Sequence, residues 1–185
     1  MLLRSRSRKL LPAIFTLAAL LVSPTSPAQD KPETPMPTTK SSPAEASDPN
    51  TVFNHLADKA LLVMKKRAEE LNMKGVAVVA YVPGDNANSW TSKMLVVGNM
   101  TSHSSTNDPG SNLLAIAYSK ASEMADTLKP SGSGVRPPMK GEFGWQGGWI
   151  IQGKTGHIIA AFSGGKSEDD VKASKAGLEV FAGAL

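Results

Sequence analysis

The sequence predicts an α+β fold in which helices flank an antiparallel sheet, in the order α-β-β-α-β-β-α. Apolar residues recur every three or four positions in three long segments, which is typical of amphipathic helices. Runs rich in β-branched residues occur in pairs separated by turn residues, which indicates hairpins. The last hairpin also leads into the last helix through a Ser-Gly-Gly corner at 163–165.

The clearest of these units lies near the C-terminus. Trp149–Ile151 suits a strand, and Gly153–Gly156 supplies glycines for a tight turn. Ile158–Phe162 is an unbroken apolar run, so we expect a strand covered on both faces. Ser167 followed by Asp170 resembles a capping box, which predicts that a helix begins at Ser167. One face of that helix would carry Val171, Ser174, Leu178 and Phe181.

The earlier elements follow from the same signals. A helix capped by Asn50 or Thr51 and extending to about Asn72 is predicted by a broad apolar stripe. Gly75–Val82 is β-branched, a Pro-Gly-Asp-Asn turn follows, and Ser89–Val97 returns as a second strand.

A long polar loop and a second helix lie between the two hairpins. Residues 98–110 make a connection longer than the fold needs, and such loops often carry function. Ser111 is the predicted cap of a helix over Asn112–Leu128. Residues 131–146 are rich in Gly and Pro, which predicts little regular structure.

The N-terminal segment has the pattern of a secretory signal peptide. Four basic residues within positions 4–9 precede the apolar stretch Leu10–Val22, and Ala28 ends a small-residue cleavage site. We therefore predict a signal peptide over 1–28, a disordered tether over 29–50 and one domain over 51–185, exported to the periplasm or the cell exterior. A segment kept as a membrane anchor is the alternative.

Charge and cysteine content exclude several function classes. The chain has 20 Lys and Arg against 16 Asp and Glu, but four of the basic residues lie in the predicted signal peptide. The predicted mature protein is therefore balanced, so its charge gives no reason to expect nucleic-acid binding. Because the chain has no cysteine, disulfides, thiolate metal sites and thiol nucleophiles are excluded.

Two segments of the chain share a residue pattern with a known family. One is Ile116–Ala121 in helix two, and the other is the C-terminal unit. The matching positions of the C-terminal unit are Gly147, Gly148, Gly153, Ser163, Gly164, Asp170, Ala176, Gly177 and Leu178. In these positions the chain resembles the GlcG/HbpS-like family of heme-binding or heme-degrading domains. It departs from the family at Glu123 and Met124, where the family usually has Thr-Ala, and in the first hairpin, which lacks the usual Asp-x-Gly-Gly.

The resemblance covers about residues 51–185 and implies a profilin-like sheet with flanking helices. It also implies a homo-oligomer that binds heme, a related tetrapyrrole or another small molecule, with heme degradation as an incidental reaction of bound iron. The polar loop corresponds to the part of the family near the heme pocket, so His103 is the candidate iron ligand. Met100, Thr101 and Trp145 are the other candidate heme-binding residues.

Several other residues that could bind a ligand also have simpler structural interpretations. His55 is expected on the polar face of helix one, and His157 at an edge or surface after a turn. An apolar ligand cleft could be lined by aromatic residues, namely Tyr81, Trp90, Phe143, Trp145 and Trp149. A place in the core is the favoured interpretation for all of them except Trp145, whose glycine-flanked position predicts partial exposure. Gly165–Ser167 imitates the end of a phosphate-binding P-loop, but the signature fails because Ala160 replaces its first glycine.

No pair of carboxylates and no nucleophile elbow indicates a catalytic site. Two further functions stay open. One is a non-enzymatic sensory or structural interaction domain that meets a protein partner in the cell envelope. The other is a small-molecule enzyme acting, for instance, on a hydroxy acid.

Overall fold

A computed structural model of the protein describes residues 48–184, and the structural statements below concern that part of the chain. The predicted signal peptide and nearly all of the predicted tether lie outside the described residues. Within residues 48–184, no helix is both long and apolar enough to cross a membrane.

The described chain forms three helices, four strands and a short 3₁₀ turn, and their order confirms the predicted α+β fold. The helices are α1 (Pro49–Glu70), α2 (Leu113–Thr127) and α3 (Ser167–Leu178), with the 3₁₀ turn at Glu179–Phe181. The strands are β1 (Gly75–Pro83), β2 (Thr91–Val97), β3 (Gly148–Gln152) and β4 (Gly156–Ser163).

The four strands form one antiparallel sheet in the order β2-β1-β4-β3. Val78 in β1 is opposite Met94 on one side and Ala161 on the other. All of β4, and β1 up to Val82, is buried. This confirms the prediction that Ile158–Phe162 is covered on both faces, and explains why both central strands are almost purely apolar.

Each face of the sheet has its own core, because successive side chains of a strand point to opposite faces. Helices α1 and α3 cover one face, where the ring of Phe53 stacks on Tyr81 and Phe181 with centroids 6.1 and 5.7 Å apart. Helix α2 covers the other face, against Val76, Val78 and their neighbours. Ser163 continues the side of β4 that faces α2, since Ala161 lies in that core.

The residues that cap the helices differ from those predicted. Asp48 caps α1, because its carboxylate accepts hydrogen bonds from the N–H groups of Asn50 and Thr51. Asn112, not Ser111, caps α2 by accepting from the N–H of Ala115. Helix α3 begins at Ser167 as predicted, but the predicted capping box is wrong, because Ser167 is already helical and the preceding Lys166 makes no side-chain cap.

Strand and helix ends differ in smaller ways. The first strand ends at Pro83 and not at Val82, and the second begins at Thr91 and not at Ser89, so the hairpin tip spans residues 84–90. Helix α2 ends before Leu128, which adopts the left-handed conformation with φ of 52° and closes the helix through its N–H to Met124. Such a residue commonly ends a helix, although glycine is the usual occupant.

Candidate functional site

A cleft of about 590 Å³, here called the outer cleft, lies beside the polar loop that precedes α2. The loop forms one wall, and the connection between α1 and β1 and the corner after β4 form the others. Its lining combines apolar surface, hydroxyl groups and lysines. The lining residues are Leu71, Asn72, Met73, Lys74, Asn99, Thr101, Ser102, His103, Leu113, Gly164, Gly165, Lys166 and Asp169.

A smaller cavity of about 190 Å³, here called the inner pocket, adjoins the outer cleft. The two share Ser102, Leu113, Gly164 and Gly165 as lining residues. The inner pocket is additionally lined by Ser111, Ile116, Lys120, Trp145, Gln146, Ser163, Ser167 and Asp170. The polar loop, α2 and the start of α3 therefore converge on two adjoining spaces.

The polar loop is fastened to its own base. The N–H of Ser102 donates to the carbonyl of Ser111 at 2.9 Å, and the N–H of Ser111 donates to the Ser102 hydroxyl at 2.6 Å. Gly110 has a φ of +77°, and a side chain there would collide with the Ser102 carbonyl. These contacts hold the segment that carries Thr101 and His103 beside α2.

Three of the four predicted ligand-binding residues line these spaces. Thr101 and His103 line the outer cleft, and Trp145 lines the inner pocket. Met100 lines neither; its side chain is 45% exposed, and its carbonyl accepts the N–H of Leu113. The imidazole of His103 is exposed and makes no hydrogen bond to any residue between 48 and 184. The role of each residue in ligand binding stays a prediction.

The sequence analysis missed a buried ion pair at the floor of the inner pocket. The Lys120 ammonium donates to Asp170 Oδ2 and to the Phe162 carbonyl, both at 2.8 Å, and the two charged side chains are only 3% and 4% exposed. The N–H of Gly165 donates to Asp170 Oδ1. Burial raises the pKa of the Asp170 carboxyl, and the Lys120 ammonium acts against that shift.

This ion pair joins the two helical layers across the end of the sheet, since Lys120 belongs to α2 and Asp170 to α3. Gly147 makes room for it: with φ of +140°, it lies where a Cβ atom would overlap the Lys120 ammonium. The Gly147 carbonyl also accepts from the Phe162 N–H at 3.1 Å and the Ser174 hydroxyl at 2.7 Å. The glycine is therefore required for the two layers to meet.

The other two histidines lie away from the cleft. His55 is exposed on α1, as predicted. The prediction that His157 lies at an edge or surface is wrong. The His157 side chain is buried beneath the tip of the first hairpin, where its Nδ1 lies 3.0 Å from the Gly84 carbonyl oxygen. Across residues 48–184, no three His, Asp or Glu side chains converge as a metal site would require.

The aromatic residues do not form one ligand cleft. Tyr81 is buried and donates its hydroxyl to the backbone and side chain of Thr155. Trp149 lies beneath the Lys175 ammonium, 3.7 Å from the ring centroid. Trp90 lines a separate cavity of about 490 Å³ at the hairpin tip. Trp145 is 51% exposed, in agreement with its glycine-flanked position.

An arginine fixes the Gly/Pro-rich segment 131–146, which includes Trp145, to helix α2. The Arg136 guanidinium donates to both carboxylate oxygens of Glu142 at 2.7 and 2.9 Å, and to Asp126 at 2.6 Å. The N–H of Met139 also donates to Glu142. Together these hydrogen bonds lower the pKa of Glu142, from an ordinary 4.5 to about 2.

We expect the Met139 amide signal to titrate with a midpoint near pH 2 in an NMR pH series. Since the folded-state pKa of Glu142 is lowered, the stability it contributes is complete above pH 4.5 and is lost as the pH falls through 2. Arg136→Ala should move the midpoint toward 4.5, and Glu142→Gln should abolish it. A midpoint near 4.5 in the unchanged protein would contradict the arginine contact.

Comparison with known proteins adds one distant neighbour. No family model matches the chain, and no curated protein matches it. Among solved structures, the chain is similar to the crystal structure of Klebsiella pneumoniae protein ORFY, described as DUF336, with 16% identity and a TM-score of 0.43. The match covers 71% of this chain and 90% of that one.

Proposed function

We propose that the protein is a GlcG/HbpS-like, exported binding protein that holds heme or a related tetrapyrrole in the outer cleft. The observation that carries the proposal is the position of His103. Its imidazole is exposed, is hydrogen-bonded to no described residue and lines a cleft of about 590 Å³. Histidine is a common axial ligand of heme iron, and ligand sites typically enclose about 300–1,000 Å³.

The lining of the outer cleft fits the chemistry of such a ligand. His103 would bind the iron, and Leu71, Met73 and Leu113 would contact the apolar macrocycle. Lys74 and Lys166 lie in the same lining and would pair with the propionate carboxylates. Bound heme would supply an iron centre that reacts with peroxide, so heme degradation would be incidental. We assign the residues of this chain a binding role.

A hemin titration tests the proposal. We expect the Soret band of hemin to shift and to saturate at about one equivalent of protein. His103→Ala should abolish the shift or weaken binding at least about tenfold, because the iron loses its protein ligand.

His55→Ala is the matched control, since His55 is exposed on α1 and lines neither space. It should bind hemin as the unchanged protein does. A saturable shift that survives His103→Ala would keep heme binding and reject His103 as the ligand. A titration without saturation would reject the proposed function.

A second candidate function is an interaction domain for a protein partner, including a second copy of the chain. It is favoured by segment 131–146, which exposes four large apolar side chains although Arg136 holds it in place. These are Val135, Met139, Phe143 and Trp145. Exposed apolar groups concentrated on one surface often mark an interaction site. A protein that ignores hemin but sediments as a defined oligomer would support this function.

A further inference from the structure

Ser163 presents a hydroxyl group without a protein partner to the inner pocket. Ser163 is only 3% exposed and lies on the side of β4 that faces α2. Its hydroxyl makes no hydrogen bond to any residue between 48 and 184, and the residue lines the pocket. Because no side-chain polar atom of the described residues is both fully enclosed and unpaired, this hydroxyl is open to the pocket. It can therefore hydrogen-bond to a polar group that is held there.

Lys120 offers a second donor to the same space. An ammonium carries three N–H donors, and the described residues accept two of them, at Asp170 and at the Phe162 carbonyl. The third has no acceptor within residues 48–184, and Lys120 lines the pocket. Both oxygens of Asp170 are already occupied, by Lys120 and by the Gly165 N–H.

The start of α3 adds backbone donors beside these two side chains. The N–H groups of Ser167 and Glu168 have no acceptor in the described part of the chain, because Lys166 provides no side-chain cap. Ser167 lines the inner pocket, and its own hydroxyl is not engaged with any described residue. Unpaired N–H groups at a helix N-terminus favour an anion.

We propose that the inner pocket binds the carboxylate group of a small organic anion, held by the Ser163 hydroxyl, the third N–H of Lys120 and the first N–H groups of α3. The volume of about 190 Å³ admits a short acid, since a water molecule takes about 30 Å³. Glu168, Asp169 and Asp170 stand in the same first turn. Their charges favour a singly charged ligand over phosphate or sulfate.

The proposed carboxylate site does not depend on heme binding, although a propionate of heme also carries a carboxylate group. The carboxylate therefore has two sources: a free short-chain acid, or the propionate of a tetrapyrrole in the adjoining outer cleft. The two spaces share Ser102, Leu113, Gly164 and Gly165, so one ligand of sufficient length would span both.

The test is an NMR titration of the apo-protein with sodium propionate, with sodium chloride at equal ionic strength as the reference. We expect saturable shifts of the Gly164, Gly165 and Ser167 amide signals, with a Kd on the order of 1 mM. Ser163→Ala should raise that Kd at least about fivefold, and Ser167→Ala should raise it by a smaller factor.

Ser119→Ala is the matched control, because the Ser119 hydroxyl donates to the Gly141 carbonyl and lines neither space. It should leave the Kd unchanged. Shifts that do not saturate, or that chloride reproduces, would overturn the proposal. Saturable binding with the same Kd in both Ser163→Ala and Ser167→Ala would overturn it as well.

Titrations with hemin and with hemin dimethyl ester, which has no free carboxylate, distinguish the two sources of the carboxylate. Hemin that binds more weakly to Ser163→Ala, while the ester does not, supports the propionate as the occupant. Propionate binding that depends on Ser163, with hemin affinity unaffected by the variant, supports a free acid. Propionate binding in a protein that ignores hemin would reject the proposed function and keep the carboxylate site.

Discussion

Lys120→Met should lower the free energy of unfolding by about 3–5 kcal/mol, the largest effect that we expect from a single change. Methionine keeps much of the lysine's length and removes the ammonium. Asp170 would then be a buried carboxylate that has lost its counter-charge, and the Phe162 carbonyl would lose a donor. Urea denaturation followed by circular dichroism measures the change.

The double variant Lys120→Met/Asp170→Asn separates the cost of an unpaired charge from the value of the pair. An asparagine oxygen can still accept the Gly165 N–H. Because the buried charge is gone, most of the lost stability should return. If the double variant is as unstable as Lys120→Met alone, the ion pair itself, and not the orphaned carboxylate, accounts for the loss.

Lys93→Met is the control at the surface. Lys93 pairs with Asp58 at 2.9 Å, nearly the same distance as the buried pair, but the Asp58 side chain is 71% exposed. Water screens such a pair, so its loss should cost at most about 1 kcal/mol. Equal costs for Lys93→Met and Lys120→Met would contradict the conclusion that burial gives the Lys120–Asp170 pair its importance.

The sequence was sufficient to predict the order of the elements because burial leaves a periodic pattern. The all-apolar run Ile158–Phe162 predicted a strand covered on both faces, and the structure places it at the centre of the sheet. Helix caps were harder, because several polar residues stand side by side at each helix start. Which of Asp48, Asn50 and Thr51 caps α1 is decided by backbone geometry, and Asp48 is the residue whose side chain reaches back.

The candidate site was predictable only in part, since its residues meet through the tertiary fold. His103 and Thr101 were predicted because they lie in an unusually long polar loop that corresponds to the part of the resembled family near its heme pocket. Lys120 and Asp170 are fifty positions apart, so no local pattern joins them. A signal was present, however: Lys120 lies one turn from Ile116 and Met124 on the apolar side of its helix. A charge in that position indicates a buried partner.

Gly147→Ala is the second change for which we expect a large effect, a loss of about 2–4 kcal/mol of stability. The new Cβ atom would overlap the Lys120 ammonium and would lie 3.0 Å from the Asp170 Cβ. The residue also has a φ of +140°, which an alanine rarely adopts. The variant should therefore strain the backbone and force the ion pair apart.

Gly141→Ala is the nearest control for the backbone contribution, because Gly141 has a φ of +100° and no atom within 4 Å of the added Cβ. It should cost only about 1 kcal/mol. Combining Gly147→Ala with Lys120→Ala removes the atom that the new methyl group meets, so the two losses should fall short of additivity by at least about 1 kcal/mol. Strict additivity would mean that Gly147 is needed for its backbone conformation alone, and that the space it leaves for the ion pair is incidental.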